Sequence, residues 1–232
     1  MKDVKIFVTF IGILTTANAQ KCVLNMDTLE LQGNFDFSKF MGTWFEVKAW
    51  FHSGVSVDTL WNDYYRQYSE KSTGMADVLT IGRPKNSTEC TQWTGHKLVL
   101  GGRLYPARLT LKLKTSRGTI VDKPLYVVAT DYDNYALTVE CMNRATLYAN
   151  GTCLPDPNVY VLSRKTALNP ADEARVDDII NTKICHTGLD EYRPNIHGKQ
   201  CELPGNGAST ISLRLCPFIA LFSVSSLLRM ML

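Results

Sequence analysis

The residues of this chain best able to hold a metal or attack a carbonyl are its seven cysteines and four histidines. Their spacing serves neither task. There is no CxxC pair and the histidines stand far apart, so the ligand groupings of zinc sites are missing. No Ser/His/Asp pattern, phosphate-binding glycine loop or pair of acid/base carboxylates stands out. The sequence therefore reads as a non-enzyme, with no catalytic residue, no metal and no required cofactor. What remains for the cysteines is disulfide chemistry. If Cys216 leaves with a C-terminal tail, Cys22, Cys90, Cys141, Cys153, Cys185 and Cys201 form an even set, enough for three bridges in an exported protein. Cys185-His186 reads as half a disulfide beside a surface histidine.

Both ends read as processing signals. Met1–Ala19 carries Lys2 and Lys5, then an apolar run from Ile6 to Leu14, then Ala17-Asn18-Ala19. A basic start, a short apolar stretch and a small-x-small site make a secretory signal cut before Gln20, and the run is too short to span a bilayer. At the other end Gly205-Asn206-Gly207-Ala208-Ser209 is small and turn-forming, a polar spacer follows, and Leu215–Leu228 is apolar. Small residues, spacer and greasy tail are the requirements for a glycosylphosphatidylinositol (GPI) anchor, with Asn206 as the attachment residue. The expected division is a signal peptide over 1–19, one domain over 20–203 and a GPI-attachment signal over 204–232. The protein would then sit on the outer face of the cell membrane through a lipid rather than a span. Lys2, Asp3, Lys5, Arg214 and Arg229 account for the formal net charge of +3. The mature domain is thus close to neutral, which gives nucleic acid no electrostatic hold. Asn86-Ser87-Thr88 and Asn150-Gly151-Thr152 are glycosylation sequons, in keeping with export and surface loops.

Between these signals the chain is a succession of short strands. Leu125–Ala129 and Tyr135–Val139 are β-rich runs joined by the polar turn Thr130–Asn134, whose short side chains can bond their own backbone. Further strands are expected over Thr43–Phe51, Trp61–Tyr68, Met75–Ile81, around Cys90–Leu100, over Leu109–Lys114, where alternation is strict, and over Val159–Ser163. One helix follows. Asn169 is its N-cap, Pro170 its first residue, Asp172 and Glu173 occupy its first turn, and Val176, Ile179, Ile180 and Ile184 recur on one face. Eight strands and a late helix predict an all-β fold: an eight-stranded antiparallel up-and-down barrel with a C-terminal α-helix on its wall.

Three motifs in this order resemble the lipocalin family. Gly42-Thr43-Trp44, after Phe35-Asp36 and Phe40, is similar to the family's first motif. Thr130-Asp131-Tyr132 is similar to the second and Arg164 to the third. The resemblance spans Cys22 to Cys201 and is nearest to the apolipoprotein D, insect bilin-binding and Lazarillo group. It implies that Trp44 plugs the closed end, that Arg164 lies over its indole, and that Thr130 and Asp131 tie the adjacent turn. It also implies a Cys22–Cys141 bridge. The group usually has a cysteine on the second strand where this chain has Asp63, so Cys201 must bond elsewhere. A Cys90–Cys201 link would resemble the retinol-binding branch and leave Cys153 with Cys185, one of three pairings that four cysteines allow.

An eight-stranded barrel holds one small ligand in a mostly apolar cup. Alternation and the resemblance together nominate the lining: Trp44 at the base, then Trp61, Tyr64 and Tyr68 on the second strand. Leu109, Leu111 and Leu113 would follow on the fifth strand, with Val127, Leu137, Tyr160 and Leu162 beyond. A one-residue register error would turn any of these outward. Arg66, Lys48 or Arg108 could meet a ligand carboxylate, although such residues are more often solvated surface charges. The expected function is extracellular binding and carriage of a small hydrophobic molecule (bilin, carotenoid, retinoid or fatty-acid-like). The Lazarillo resemblance adds an alternative, a GPI-anchored recognition protein with a cell-surface receptor and only secondary carriage.

Overall fold

Strand β1 (Gly42–Trp50) is where the barrel closes, because it pairs on one side with β8 (Asn158–Ser163) and on the other with β2 (Trp61–Ser72). Between them β3 (Met75–Pro84), β4 (Thr91–Leu100), β5 (Arg108–Lys114), β6 (Ile120–Thr130) and β7 (Tyr135–Glu140) pair consecutively and antiparallel. The result is the expected eight-stranded up-and-down barrel, with a two-residue strand β9 (Arg193–Pro194) added on β1. The computed structural model describes residues 24–51, 61–142, 147–154, 157–184, 192–199 and 201. The chain forms two units, Met1–Cys201 and Glu202–Leu232. The segments expected to be a signal peptide and a GPI signal, with Asn206, lie outside the described residues.

Strand β6 begins at Ile120, well before the apolar run that announces it. Pro124 hides this start, since proline cannot donate to a ladder. Here it faces Thr110 while its carbonyl accepts from the Cys141 N–H. The opening rungs are secured by Lys112 Nζ, which reaches both Asp122 carboxylate oxygens at 2.9 Å.

Helix α1 (Pro170–Lys183) starts where its cap residues place it: Asn169 Oδ1 accepts from the Asp172 N–H at 2.9 Å. Its buried residues Val176 and Ile180, with Ile184 beyond, join an outer cluster containing Val47, Val128, Tyr135, Leu137, Val139 and Val161. Lys48 fastens the helix to the wall, 2.5 Å from Glu173 and 3.6 Å from Asp177. With the helix outside and the cup inside, β7 and β8 are buried on both faces along their whole length.

A second cluster fills the inside of the closed end: Phe40, Trp44, Tyr68, Val78, Leu98, Leu109, Leu111, Leu125, Val127 and Leu162. The Arg164 guanidinium lies 3.7 Å from the Trp44 ring centroid, as the family resemblance implies. It also donates to three main-chain carbonyls, those of Tyr132 at 2.9 Å, Thr43 at 2.9 Å and Lys39 at 3.1 Å. Gly42 adopts φ +95°, and a Cβ there would stand 3.1 Å from Arg164 Nη1. Glycine is thus required by both backbone and neighbour. In the turn beside it, Thr130 Oγ1 donates to the Tyr135 carbonyl and accepts from the Tyr132 N–H. Partial burial pushes the Asp131 carboxyl up, but hydrogen bonds from Tyr135, Asn134 and Asp133 outweigh it and hold the group below the usual carboxylate range.

Two disulfides join described residues. Cys90 pairs with Cys201. Cys141 pairs with Cys153, which corrects both the Cys22–Cys141 and the Cys153–Cys185 expectations. The physical reason is proximity: Leu147 bridges to Cys153 in a small hairpin that returns the chain to the end of β7. Cys22 and Cys185 lie outside the described residues. Asp63, where the group usually has cysteine, is buried and paired with Arg83 at 3.0 Å. Arg83 also donates to the Lys199 carbonyl, so an ion pair joins the disulfide in holding the C-terminal strap.

Candidate functional site

Among the described residues the barrel opens at the end opposite Trp44 onto a cavity of about 710 Å³. Trp61 and Trp93 meet edge to face across its wall, 4.5 Å between ring centroids. Tyr64, Leu113 and Tyr160 continue the apolar lining. Trp61 and Tyr64 both face inward, despite their odd spacing, because the ladder shifts register between Asn62 and Tyr65 and Asp63 takes φ +52°. Tyr64 and Tyr160 also border a much smaller void beneath, with Trp44, Tyr68 and Leu162.

The other expected lining residues divide between filled core and wrong face. Leu109, Leu111 and Val127 point inward but are packed into the apolar plug. Leu137 does not line the cup: it belongs to the outer cluster beneath the helix. A bulge explains the error. The register shifts between Val127 and Ala129, so Val128 and Ala129 both face outward and Leu137 stands opposite Ala129. The inward residues of β7 are instead Ala136, Thr138 and Glu140, partnered by Leu162, Tyr160 and Asn158.

Sequence reasoning named Arg66 as one residue able to meet a ligand carboxylate, but it missed the cluster around it inside the cup, Lys123, Glu140 and Glu46. Arg66 is not a solvated surface residue; it stands opposite Trp44 on the inner face, with its side chain 11% exposed. Its Nη1 is 2.5 Å from Glu140 Oε1, and Lys123 Nζ is 3.1 Å from Glu140 Oε2. Arg66 Nε donates to the Tyr64 hydroxyl at 3.2 Å. Glu46 points into the same space and accepts from Asn195 Nδ2 at 3.3 Å. The signal was period two: if Tyr64 and Tyr68 line the cup, Arg66 between them must do so as well. The other two proposed cations are external. Lys48 serves α1, and Arg108 stacks over Tyr105 and Tyr126.

Burial divides the protonation states in this cluster. Glu46 is pushed up to about 7, chiefly by desolvation, which Arg66 only partly offsets. Desolvation also raises Glu140, but the Arg66 and Lys123 cations outweigh it and bring that carboxyl down to about 2. Burial pushes Tyr68 up to about 12 and raises Tyr64 and Tyr160, while it lowers His96. Near neutral pH the cup therefore holds neutral tyrosines, a neutral His96, an ionised Glu140 and a partly protonated Glu46.

A closed β-barrel plugged at one end and opening into an aromatic-walled cavity at the other is a small-ligand-binding cup. The chain is 31% identical to apolipoprotein D of Cavia porcellus over 155 residues, 66% of this chain and 72% of that one. It is 27% identical to retinol-binding protein 4-A of Oncorhynchus mykiss over 183 residues, 76% of this chain and 97% of that one. Among solved structures, insecticyanin from the tobacco hornworm Manduca sexta superposes with a TM-score of 0.57 at 18% identity, over 74% of this chain and 85% of that one. Lobster apocrustacyanin A1 does so with a TM-score of 0.55 at 15% identity, over 72% and 82%. No family model matches the chain. On the strength of its relatives and its fold, the chain belongs to the lipocalin family.

Proposed function

We propose that this protein is an extracellular lipocalin that carries a small hydrophobic ligand in its barrel, tethered at the cell surface by a GPI anchor. The observation that carries the proposal is the cavity of about 710 Å³ between Trp61, Trp93, Tyr64, Leu113 and Tyr160. Its aromatic walls suit a flat, conjugated or elongated guest such as a bilin, carotenoid, retinoid or fatty acyl chain. Burying such a guest contributes roughly 25 cal/mol per Å² of apolar surface, before ordering costs. The retinol-binding relative supports a ligand of this class. The two disulfides support an oxidising compartment. Asn86 and Asn150 are both exposed, as glycan acceptors must be, and the tail composition supports the anchor. Every described cysteine is in a disulfide, which leaves the cup without a thiol nucleophile among the described residues.

The test is to release the protein from eukaryotic cell membranes with a GPI-specific phospholipase and record its mass and absorption spectrum. A released protein with a co-purifying chromophore or lipid is the expected result. Release with an empty cup would favour the recognition role and its receptor. Protein found only in the medium would remove the anchor.

A further inference from the structure

A hydrocarbon guest needs no cations, yet Arg66 and Lys123 both line the cavity, with side chains only 11% and 13% exposed. They share one ionised partner, since each takes a different oxygen of Glu140. The remaining groups that face them do not cancel the second positive charge. Tyr64, Tyr68 and Tyr160 are neutral phenols, and His96 is held neutral by burial. Glu46 is the only other interior carboxyl among the described residues that line this space, and desolvation keeps much of it protonated near neutral pH. His96 Nδ1 and Thr138 Oγ1 are also buried without a hydrogen-bond partner among the described residues. A buried charge in excess, beside unused polar atoms, is costly unless a ligand completes it.

We infer that the native ligand is amphipathic with an anionic head, a carboxylate, seated inward against Arg66 and Lys123, its apolar body lying between Trp61, Trp93 and Leu113 toward the mouth. This rests on the carrier reading and adds the head-group chemistry and orientation. The same cations select against amines, whose charge would repeat theirs, and gain less from alcohols, whose hydroxyl offers no countercharge.

The experiment compares retinoic acid with retinol, which share one skeleton and differ at the head, by quenching of tryptophan fluorescence in the full-length protein. The acid is expected to bind about tenfold tighter or more, the scale of a charge-assisted hydrogen bond. Lys123→Met, which leaves the Arg66–Glu140 pair in place, should shrink that ratio several-fold. A second measurement needs no variant: carbon-13 NMR of carboxyl-labelled palmitic acid bound to the unaltered protein. Its carboxylate should stay ionised well below its usual titration range. Equal binding of acid and alcohol, tighter binding of the alcohol, or a bound carboxyl that titrates as in water would overturn the inference and leave the carrier reading standing. If none of the three probes binds, the inference fails, while the carrier reading, which also admits bilins and carotenoids, still rests on what co-purifies with the released protein.

Discussion

Arg66 and Glu140 meet inside the barrel at 2.5 Å although 74 residues separate them in the chain. The pair links β2 to β7, and Lys123 on β6 completes it from the other side of the carboxylate. Replacing such a cluster by hydrocarbon is often neutral or stabilising, so its presence does not itself explain stability. It does mean that each member depends on the others to remain buried.

Glu140→Gln should therefore cost about 3–5 kcal/mol in urea unfolding, because it strands two buried cations. Adding Arg66→Met should return part of that loss. The double variant is expected to be less destabilised than the sum of the two singles, and strict additivity would show that the pair does not couple.

The two interior glutamates give stability opposite dependences on pH. Glu46 is raised from 4.5 to about 7 in the folded protein. Its contribution is complete below pH 4.5 and is lost as pH rises through about 7. Glu140 is lowered from 4.5 to about 2, so its contribution is present above pH 4.5 and is lost as pH falls through about 2. Each corresponds to roughly 3 kcal/mol at full extent. Glu46→Gln should flatten the fall in stability between pH 5 and 8 and make the protein more stable at pH 8. Denaturant melts across that range check both points, and an unaltered slope would place Glu46 in contact with water.

At the closed end, Trp44→Ala should destabilise by about 3–5 kcal/mol, as truncation of a fully buried tryptophan does. Arg164→Lys should fail to restore what Arg164→Ala loses. Lysine keeps the charge, but it lacks the planar fork that reaches the Tyr132, Thr43 and Lys39 carbonyls while covering the indole. Thermal melts of the three variants give the order directly, and a lysine variant as stable as the parent would reduce the contact to simple charge.

This end of the molecule was also the most legible in the sequence. Gly42, Trp44, the Thr130–Asp131–Tyr132 turn and Arg164 are local signals whose partners are fixed by the fold, and the Asn169-Pro170 cap is read by its own helix. The open end was less legible, because strand alternation gives two faces without saying where a bulge exchanges them. Shifts at Asn62/Tyr65 and Val127/Ala129 brought Trp61 in and sent Leu137 out. Arg66, Lys123 and Glu140 were obscured for a different reason. Each looks like a surface charge by residue type, and only assembling β2, β6 and β7 into one wall shows two cations meeting on a single buried carboxylate.

The Cys90–Cys201 bridge offers the last check, because it closes a separation of 111 residues around most of the barrel. A loop of that size restricts the unfolded chain by about 4–5 kcal/mol in the entropic account. Cys201→Ser should approach that loss, tempered by the Asp63–Arg83 pair, which still holds the strap through the Lys199 carbonyl. Adding Asp63→Asn should then cost more in the Cys201→Ser background than in the parent, since strap and disulfide secure the same segment. Non-reducing peptide mapping should recover Cys90 joined to Cys201 and Cys141 joined to Cys153. A Cys22–Cys141 peptide in its place would restore the pairing implied by the family resemblance and leave the 147–153 hairpin held by its backbone alone.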